Sequence, residues 1–136
     1  MKTALFVGSF DPFHEGHKSI VERALRIFDK VIVGIGINPD KTYMYPLSER
    51  RQMVCDAFIG DERVEVRTYS GLTIDFARFI GAGYIVKGVR NAVDFIYEQK
   101  QAEWNKQHGG IETILFFAEP GLEELSSTKI REELKR

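Results

Sequence analysis

Two histidines lie three residues apart in the segment GSFDPFHEGH, which spans residues 8–17. Glycines at the end of an apolar run allow close approach of the backbone to a ligand, and a helix that begins near Gly16 would point free amides at an anion. His14 and His17 would share one face of that helix. The residue types are therefore compatible with a nucleotide phosphate site, or with a plain turn whose histidines cap or pack. Zinc ligation is less favoured, because the whole chain has only three histidines and one cysteine.

The elements that position this segment alternate between strands and helices. Apolar and β-branched runs predict five strands, and helical periodicity with caps predicts five helices between and after them. The strands are expected at 2–7, 30–37, 63–69, 84–88 and 111–118, and the helices at 17–28, 48–59, 72–81, 91–108 and 126–135. Ser48 is the expected N-cap of the second helix and Asn91 that of the fourth.

This alternation predicts an α/β fold with a five-stranded parallel sheet and helices on both faces. Ligands bind such sheets at the carboxyl ends of the strands. The informative loops are therefore 8–17, 38–46 and 87–91.

Composition indicates one soluble domain, residues 1–136. The net charge of −1 gives no general attraction to nucleic acid or acidic membranes, so neither is expected as a partner. The single Cys55 is expected to be a buried side chain in a reducing compartment, which favours a cytoplasmic location. No apolar run is long enough to cross a bilayer or to act as a signal peptide.

The segment GSFDPFHEGH resembles the G-[ST]-F-D-P-x-H-x-G-H signature of the nucleotidyltransferase superfamily. The resemblance implies that His17 contacts the nucleotide phosphates and stabilises the transition state, and that Ser9 touches both substrates. LSSTKIR, residues 125–131, resembles the second signature of these enzymes, I-S-S-T-x-I-R. That resemblance implies triphosphate binding by hydroxyls and amides at a helix start, although a Ser/Thr N-cap alone would explain the segment.

KGVRNAVDFIYEQKQAEWNKQ, residues 87–107, resembles the R-G-[LV]-R-x-x-x-D-F-x-Y-E-x-x-x-x-x-x-N pattern of the bacterial phosphopantetheine adenylyltransferase family. NPDK (38–41) and GLTIDFA (71–77) also resemble segments of that family. Membership implies a Rossmann-like nucleotidyltransferase fold and AMP transfer from ATP to 4'-phosphopantetheine, which yields dephospho-coenzyme A and pyrophosphate. It also implies Mg²⁺ as cofactor and a homo-oligomer, typically a hexamer.

Carried over residue by residue, the resemblance assigns catalytic roles to His17, Lys41 and Lys87, with the two lysines holding the attacking phosphate. Arg90 and Glu98 contact ATP, and Asn105 lies near the pantetheine arm. The expected ATP-binding set is Ser9, Phe10, His17, Gly88, Val89, Arg90, Glu98, Leu122, Glu123, Glu124, Leu125, Ser126, Ser127 and Thr128. The expected acceptor-binding set is Ser9, Lys41, Thr73, Lys87 and Asn105, and no set of protein metal ligands is expected.

Helical geometry agrees with part of this assignment. At about 100° per residue, the side chains of Asp94, Glu98, Gln101 and Asn105 fall on one stripe of the fourth helix. A solvated helix face is the alternative explanation, and Asp94 would in any case favour the helix dipole near an Asn91 cap.

The sequence departs from the family pattern in three places. Lys87 replaces the more usual arginine and loses its bidentate fork. Thr73 stands where an aliphatic residue is common. The family usually continues beyond the second signature by a further helical segment, so the domain is expected to lack one.

Other assignments also fit part of the chain. They are nicotinate-mononucleotide adenylyltransferase, glycerol-3-phosphate cytidylyltransferase and a nucleotide-binding module without catalysis. The first is usually longer and is not supported between Arg90 and Asn105. The second has a second signature that GLEELSSTKIR, residues 121–131, matches poorly.

Overall fold

The computed structural model describes residues 1–135, and they alternate strand and helix from one end to the other. The strands are β1 (Thr3–Gly8), β2 (Lys30–Gly36), β3 (Val64–Tyr69), β4 (Tyr84–Val89) and β5 (Glu112–Phe117). The helices are α1 (Glu15–Ala24), α2 (Leu47–Ala57), α3 (Thr73–Ile80), α4 (Ala92–Gly109) and α5 (Ser127–Leu134). Each predicted element is present, with bounds that differ by a few residues.

All five strands form one parallel sheet in the order β3-β2-β1-β4-β5. The chain runs outward from β1 to β3, and then returns to the other side of β1 to place β4 and β5. The order therefore reverses between β1 and β4, and a crevice opens at such a reversal beside the carboxyl ends of the strands. Gly8 ends β1 and Val89 ends β4, so the loops that follow them meet at this crevice.

Apolar side chains on opposite faces of the sheet form two separate core clusters. Ala4 and Phe6 of β1 pack with Val21 of α1 and Val54 of α2. Leu5, the residue between them, packs on the other face with Ile74 and Ala77 of α3. Alternate residues of a strand point to opposite faces, so these contacts confirm the predicted parallel sheet with helices on both faces.

Two local predictions need correction. Pro46, not Ser48, is the N-cap of α2, and it makes no side-chain capping bond. Cys55 is only partly buried: it follows Val54, a fully buried residue of α2, and successive helix residues point about 100° apart. Asn91 is the N-cap of α4 as predicted, since its side chain accepts a hydrogen bond from the amide of Asp94 at 2.9 Å.

Within residues 1–135, no helix combines the length and the apolar character that crossing a membrane requires.

Candidate functional site

A cavity of about 380 Å³ opens where the loops after β1 and β4 meet the start of α5. Its volume lies within the range of small-molecule sites. Both sequence signatures line it, although more than a hundred residues separate them along the chain. The parallel sheet brings them together, because it gathers the carboxyl ends of its strands at one edge.

The loop after β1 has an unusual conformation at Phe10. Its φ is +52°, a left-handed value that costs a non-glycine residue of order 1–2 kcal/mol. Burial of the ring, which is 3% exposed, offsets that cost. A Cβ at Gly8 would lie 3.0 Å from this ring. The glycine therefore makes room for Phe10, whereas the sequence suggested that it makes room for a ligand.

The two histidines are held by the backbone at the start of α1. His14 is the N-cap, and its Nδ1 accepts a hydrogen bond from the amide of Gly16 at 3.1 Å. The Nδ1 of His17 accepts one from the amide of His14, also at 3.1 Å. In a neutral imidazole, a nitrogen that accepts leaves the proton on the other nitrogen. Both rings thus carry a hydrogen-bond donor at Nε2.

Burial keeps both imidazoles neutral. Desolvation, with the positive charge of Arg90 nearby, lowers the pKa of His14 to about 4. Desolvation first, and then His14 and Arg90, lower the pKa of His17 well below its usual value. The His17 ring packs between Phe10 and Phe13, with centroids 5.0 Å and 5.3 Å away. His17 can therefore donate one neutral hydrogen bond into the cavity, as an oxyanion donor does.

Helix α5 is tied directly to the first loop. The hydroxyl of Ser127 donates to the carbonyl oxygen of Pro12 at 2.7 Å, and Arg131 Nη1 donates to the carbonyl oxygen of Asp11 at 2.6 Å. Ser126 is the N-cap, and its Oγ accepts from the amide of Lys129 at 3.1 Å. Both explanations of this segment therefore apply: Ser126 caps the helix, and the first turn also lines the cavity.

Among the described residues, four cationic side chains line the cavity, namely Lys41, Lys87, Arg90 and Arg131. The three carboxylates in the lining are already engaged. Asp11 accepts two backbone amides at 2.8 Å, Glu98 lies 3.5 Å from Lys87 Nζ, and Glu119 lies 3.4 Å from Arg23 Nε. Lys41 Nζ donates at 3.0 Å to a neutral group, the hydroxyl of Ser9. The cavity is thus suited to an anionic ligand.

A second, smaller cavity of about 60 Å³ adjoins the first and shares Lys87 and Glu98 with it. Thr73, Gln101 and Asn105 also line it. Two buried side-chain oxygens without a hydrogen bond lie here: Thr113 Oγ1, and Glu98 Oε2, whose one charged neighbour among the described residues is Lys87 at 3.5 Å. Buried polar atoms are normally satisfied, so this cavity fits a ligand or water that donates hydrogen bonds.

The structure brings together most of the residues predicted from the sequence. Those that line the main cavity are Ser9, Phe10, His17, Lys41, Lys87, Gly88, Val89, Arg90, Glu98, Leu122, Leu125, Ser126, Ser127 and Thr128. Thr73 and Asn105 line only the smaller cavity. The exposed Glu123 and Glu124 lie outside both linings; Glu123 accepts from the amide of Gly121, and Glu124 lies 3.6 Å from Lys129.

Three residues of this region were not singled out from the sequence. Arg131 belongs to the second signature, which was the available signal. Asp11 belongs to the first signature, and its carboxylate binds the amides of Met44 and Tyr45. Arg50 is a fully buried side chain of α2 that bonds the carbonyl oxygen of Ser9. No sequence pattern pointed to it.

The fold and the site define a nucleotidyltransferase-type protein. The family model described as cytidylyltransferase-like matches residues 5–133, and the chain belongs to that family. A bifunctional NMN adenylyltransferase/ADP ribose pyrophosphatase from Francisella tularensis has the same fold, with a TM-score of 0.72 and 19% identity over 97% of this chain and 41% of that one. The pantoate-beta-alanine ligase of the same organism superposes with a TM-score of 0.64 and 17% identity, over 96% of this chain and 65% of that one.

Curated relatives narrow the family further. A phosphopantetheine adenylyltransferase of Phocaeicola vulgatus is 49% identical over 99% of this chain and 89% of its own length. One from Bacteroides thetaiotaomicron is 47% identical over 98% of this chain and 89% of its own length. These similarities confirm the predicted membership of the phosphopantetheine adenylyltransferase family.

Proposed function

We propose that this chain transfers AMP from ATP to 4'-phosphopantetheine, releasing pyrophosphate and forming dephospho-coenzyme A. The observation that carries the proposal is the junction of the two cavities at Lys87 and Glu98. The larger cavity has the cations and helix start that a triphosphate needs. The smaller one, at about 60 Å³, has room for only part of a neutral arm with two amides, and it offers hydrogen-bonding groups that this part would use. The family membership supports the same reaction.

The reaction is an in-line displacement. A phosphate oxygen of phosphopantetheine attacks the α-phosphorus of ATP, and the bond from that phosphorus to the pyrophosphate oxygen breaks. Two anions must approach each other, so catalysis depends mainly on positioning and charge stabilisation. No protein nucleophile is needed.

The chain's own groups divide this work. Lys41 and Lys87 hold the attacking phosphate, and Arg90 holds the nucleotide phosphates. His17 donates its Nε2–H to an oxygen of the α-phosphate, where negative charge develops. Because the His17 ring is neutral and fixed by the amide of His14, it is already oriented when the transition state forms.

Magnesium is part of the proposal. No group of three His, Cys, Asp or Glu side chains that could hold a metal ion occurs in residues 1–135. Mg²⁺ is commonly bound by substrate phosphates and water together with one or two carboxylates. Glu98 and Glu119 are the lining carboxylates that could serve, and each would have to share its charge between the ion and the cation beside it, Lys87 or Arg23. The donor set fits an ion that arrives with ATP and supplies charge neutralisation at its phosphates.

We also propose a cytoplasmic homo-oligomer, with the hexamer as the expected state. Apolar side chains exposed along α4 support an assembly: Val93 is 77% exposed, Ile96 54% and Tyr97 60%. Contiguous exposed apolar side chains mark association surfaces. Light scattering of the purified protein measures the state directly.

Pyrophosphate release tests the proposed reaction. The protein is incubated with ATP, Mg²⁺ and one of three acceptors: 4'-phosphopantetheine, nicotinate mononucleotide or glycerol 3-phosphate. We expect turnover with the first and almost none with the others. Higher kcat/KM with nicotinate mononucleotide would reject the acceptor assignment, and ATP binding without pyrophosphate release would favour a binding module.

A further inference from the structure

Arg50 is a buried cation of α2, with 2% of its surface exposed. In the described part of the chain, no carboxylate oxygen lies within 4.0 Å of its guanidinium, so Arg50 forms no ion pair there. Burying an arginine without an acidic partner is costly, and apolar replacements of buried ions are often as stable. Core stability therefore gives no reason for a charged side chain at this position.

The guanidinium joins two loops of the main cavity. Its Nη1 donates to the carbonyl oxygen of Ser9 at 2.9 Å, and its Nε donates to the carbonyl oxygen of Tyr45 at 3.0 Å. Ser9 lies in the loop after β1, and Tyr45 lies in the loop after β2. The Arg50 Cζ also lies 3.8 Å from the centroid of the Tyr43 ring, which is a cation–π contact between α2 and the loop after β2.

The loop after β2 carries Lys41, whose contacts continue this arrangement. Lys41 Nζ donates to the Ser9 hydroxyl at 3.0 Å and lies 5.4 Å from the same Tyr43 ring. Arg50 and Lys41 thus contact the same two residues, Ser9 and Tyr43. The side chain of Lys41 is otherwise exposed. An exposed lysine that is not held by such contacts samples many rotamers.

We infer that Arg50 is a positioning residue, which fixes the loop after β2 so that Lys41 meets the acceptor phosphate beside Ser9. This inference rests on the proposed function, because it concerns the group that Lys41 binds. An arginine is needed here because its planar guanidinium fork can donate to the carbonyl oxygens of Ser9 and Tyr45 at the same time. A lysine keeps the charge but has no such fork.

A double-mutant cycle tests the inference. The variants are Arg50→Lys, Lys41→Ala and the double variant, with the exposed Arg51→Lys on the same helix as matched control. We expect Arg50→Lys to lower kcat/KM for phosphopantetheine about tenfold when Lys41 is present and less than twofold when it is absent, as for residues that act through each other. The dissociation constant of ATP, measured by calorimetry, should stay within twofold.

Equal losses with and without Lys41 would overturn the inference and leave Arg50 a structural residue. Should Arg50→Lys not fold, Tyr43→Leu replaces it in the cycle, because that ring is partly exposed and contacts both cations. Hydrogen exchange of residues 38–46 gives a readout that does not need turnover. We expect faster exchange there in Arg50→Lys and not in Arg51→Lys, and unchanged exchange would contradict the inference.

The two proposals fail in different ways. A wild-type protein without turnover of phosphopantetheine would reject the proposed function whatever the variants do. The exchange of residues 38–46 would then still decide whether Arg50 orders the loop.

Discussion

The rings of His14 and His17 stack with their centroids 3.6 Å apart and their planes 22° apart. Both rings accept a backbone amide through Nδ1. A proton added to either ring would therefore displace an amide donor and place a positive charge against its neighbour. Both imidazoles are therefore neutral at neutral pH, and each can donate a hydrogen bond. The first loop can stabilise charge by such donation, but it has no charged imidazole to take part in proton transfer.

Replacement of His17 by alanine should lower kcat by roughly 10²–10³, the scale for loss of one transition-state donor. The affinity for ATP should change little, because the bond strengthens only as charge develops. Steady-state kinetics and ATP calorimetry measure the two effects. His14→Asn is the control, since asparagine keeps an N-cap acceptor, and its effect on kcat should be smaller. A near-normal kcat in His17→Ala would exclude the donor role.

Folding stability should fall as pH drops from about 6.5 toward 4. In that window the unfolded chain binds protons on His14 and His17, at an ordinary pKa of about 6.5. The folded chain binds fewer protons in that window, because the folded pKa of His14 is about 4 and that of His17 is also lowered. The unfolded state then holds more protons, so stability rises with pH. Urea unfolding at pH 7 and pH 5 measures the difference.

The same experiment on His14→Asn separates the contributions. This variant should show a shallower loss between pH 7 and 5, because one of the two proton sites is gone. His14 contributes less than the full slope of about 1.4 kcal/mol per pH unit, since its ring is partly exposed and solvent screens it. If the free energy of unfolding fell equally between pH 7 and 5 in the wild type and the variant, the claim that both folded histidines are neutral would be contradicted.

The strands could be predicted almost to the residue. β1, β2 and β4 are short apolar runs at the centre of the sheet, where parallel packing buries them, and β3 at the edge alternates apolar and polar residues. The starts of two helices were harder to predict. Helix α1 begins at Glu15 because His14 supplies the cap, although histidine is not among the preferred cap residues. Helix α2 begins at Leu47 after Pro46, which makes no side-chain cap, so the preference for serine pointed to Ser48 instead.

The site was predictable where signatures cover it and unpredictable where burial alone matters. Ser9, His17 and Ser127 were found because they belong to the signatures, and Lys87 and Glu98 because they belong to a long family pattern. Arg50 was missed because arginine is normally a surface residue, and only the three-dimensional contact with Ser9 reveals its place. The need for glycine at position 8 was also not predictable in these terms. The ring of Phe10, two residues later, occupies the space that a side chain at Gly8 would need.

Lys41→Ala and Arg90→Ala should affect different substrates. Lys41 lies beside Ser9, so its loss should raise KM for phosphopantetheine about tenfold or more, as expected for a charge-assisted contact. Arg90 lies at the end of β4, paired with Asp94 at 3.0 Å, and its loss should mainly weaken ATP binding. Separate titrations with each substrate measure both. Equal losses for both ligands in both variants would defeat the assignment.

Asn105→Ala tests the smaller cavity as the place of the pantetheine arm. Asn105 lines that cavity and not the larger one. A buried amide left unpaired costs about 1–3 kcal/mol, so KM for phosphopantetheine should rise by roughly fivefold or more, while KM for ATP stays nearly unchanged. Gln107→Ala is the matched control, an amide on the same helix that is exposed and lines neither cavity. If Asn105→Ala raised both KM values alike, or neither, the arm would have to bind elsewhere, and the phosphate-binding role of the loop at residues 8–17 would be unaffected.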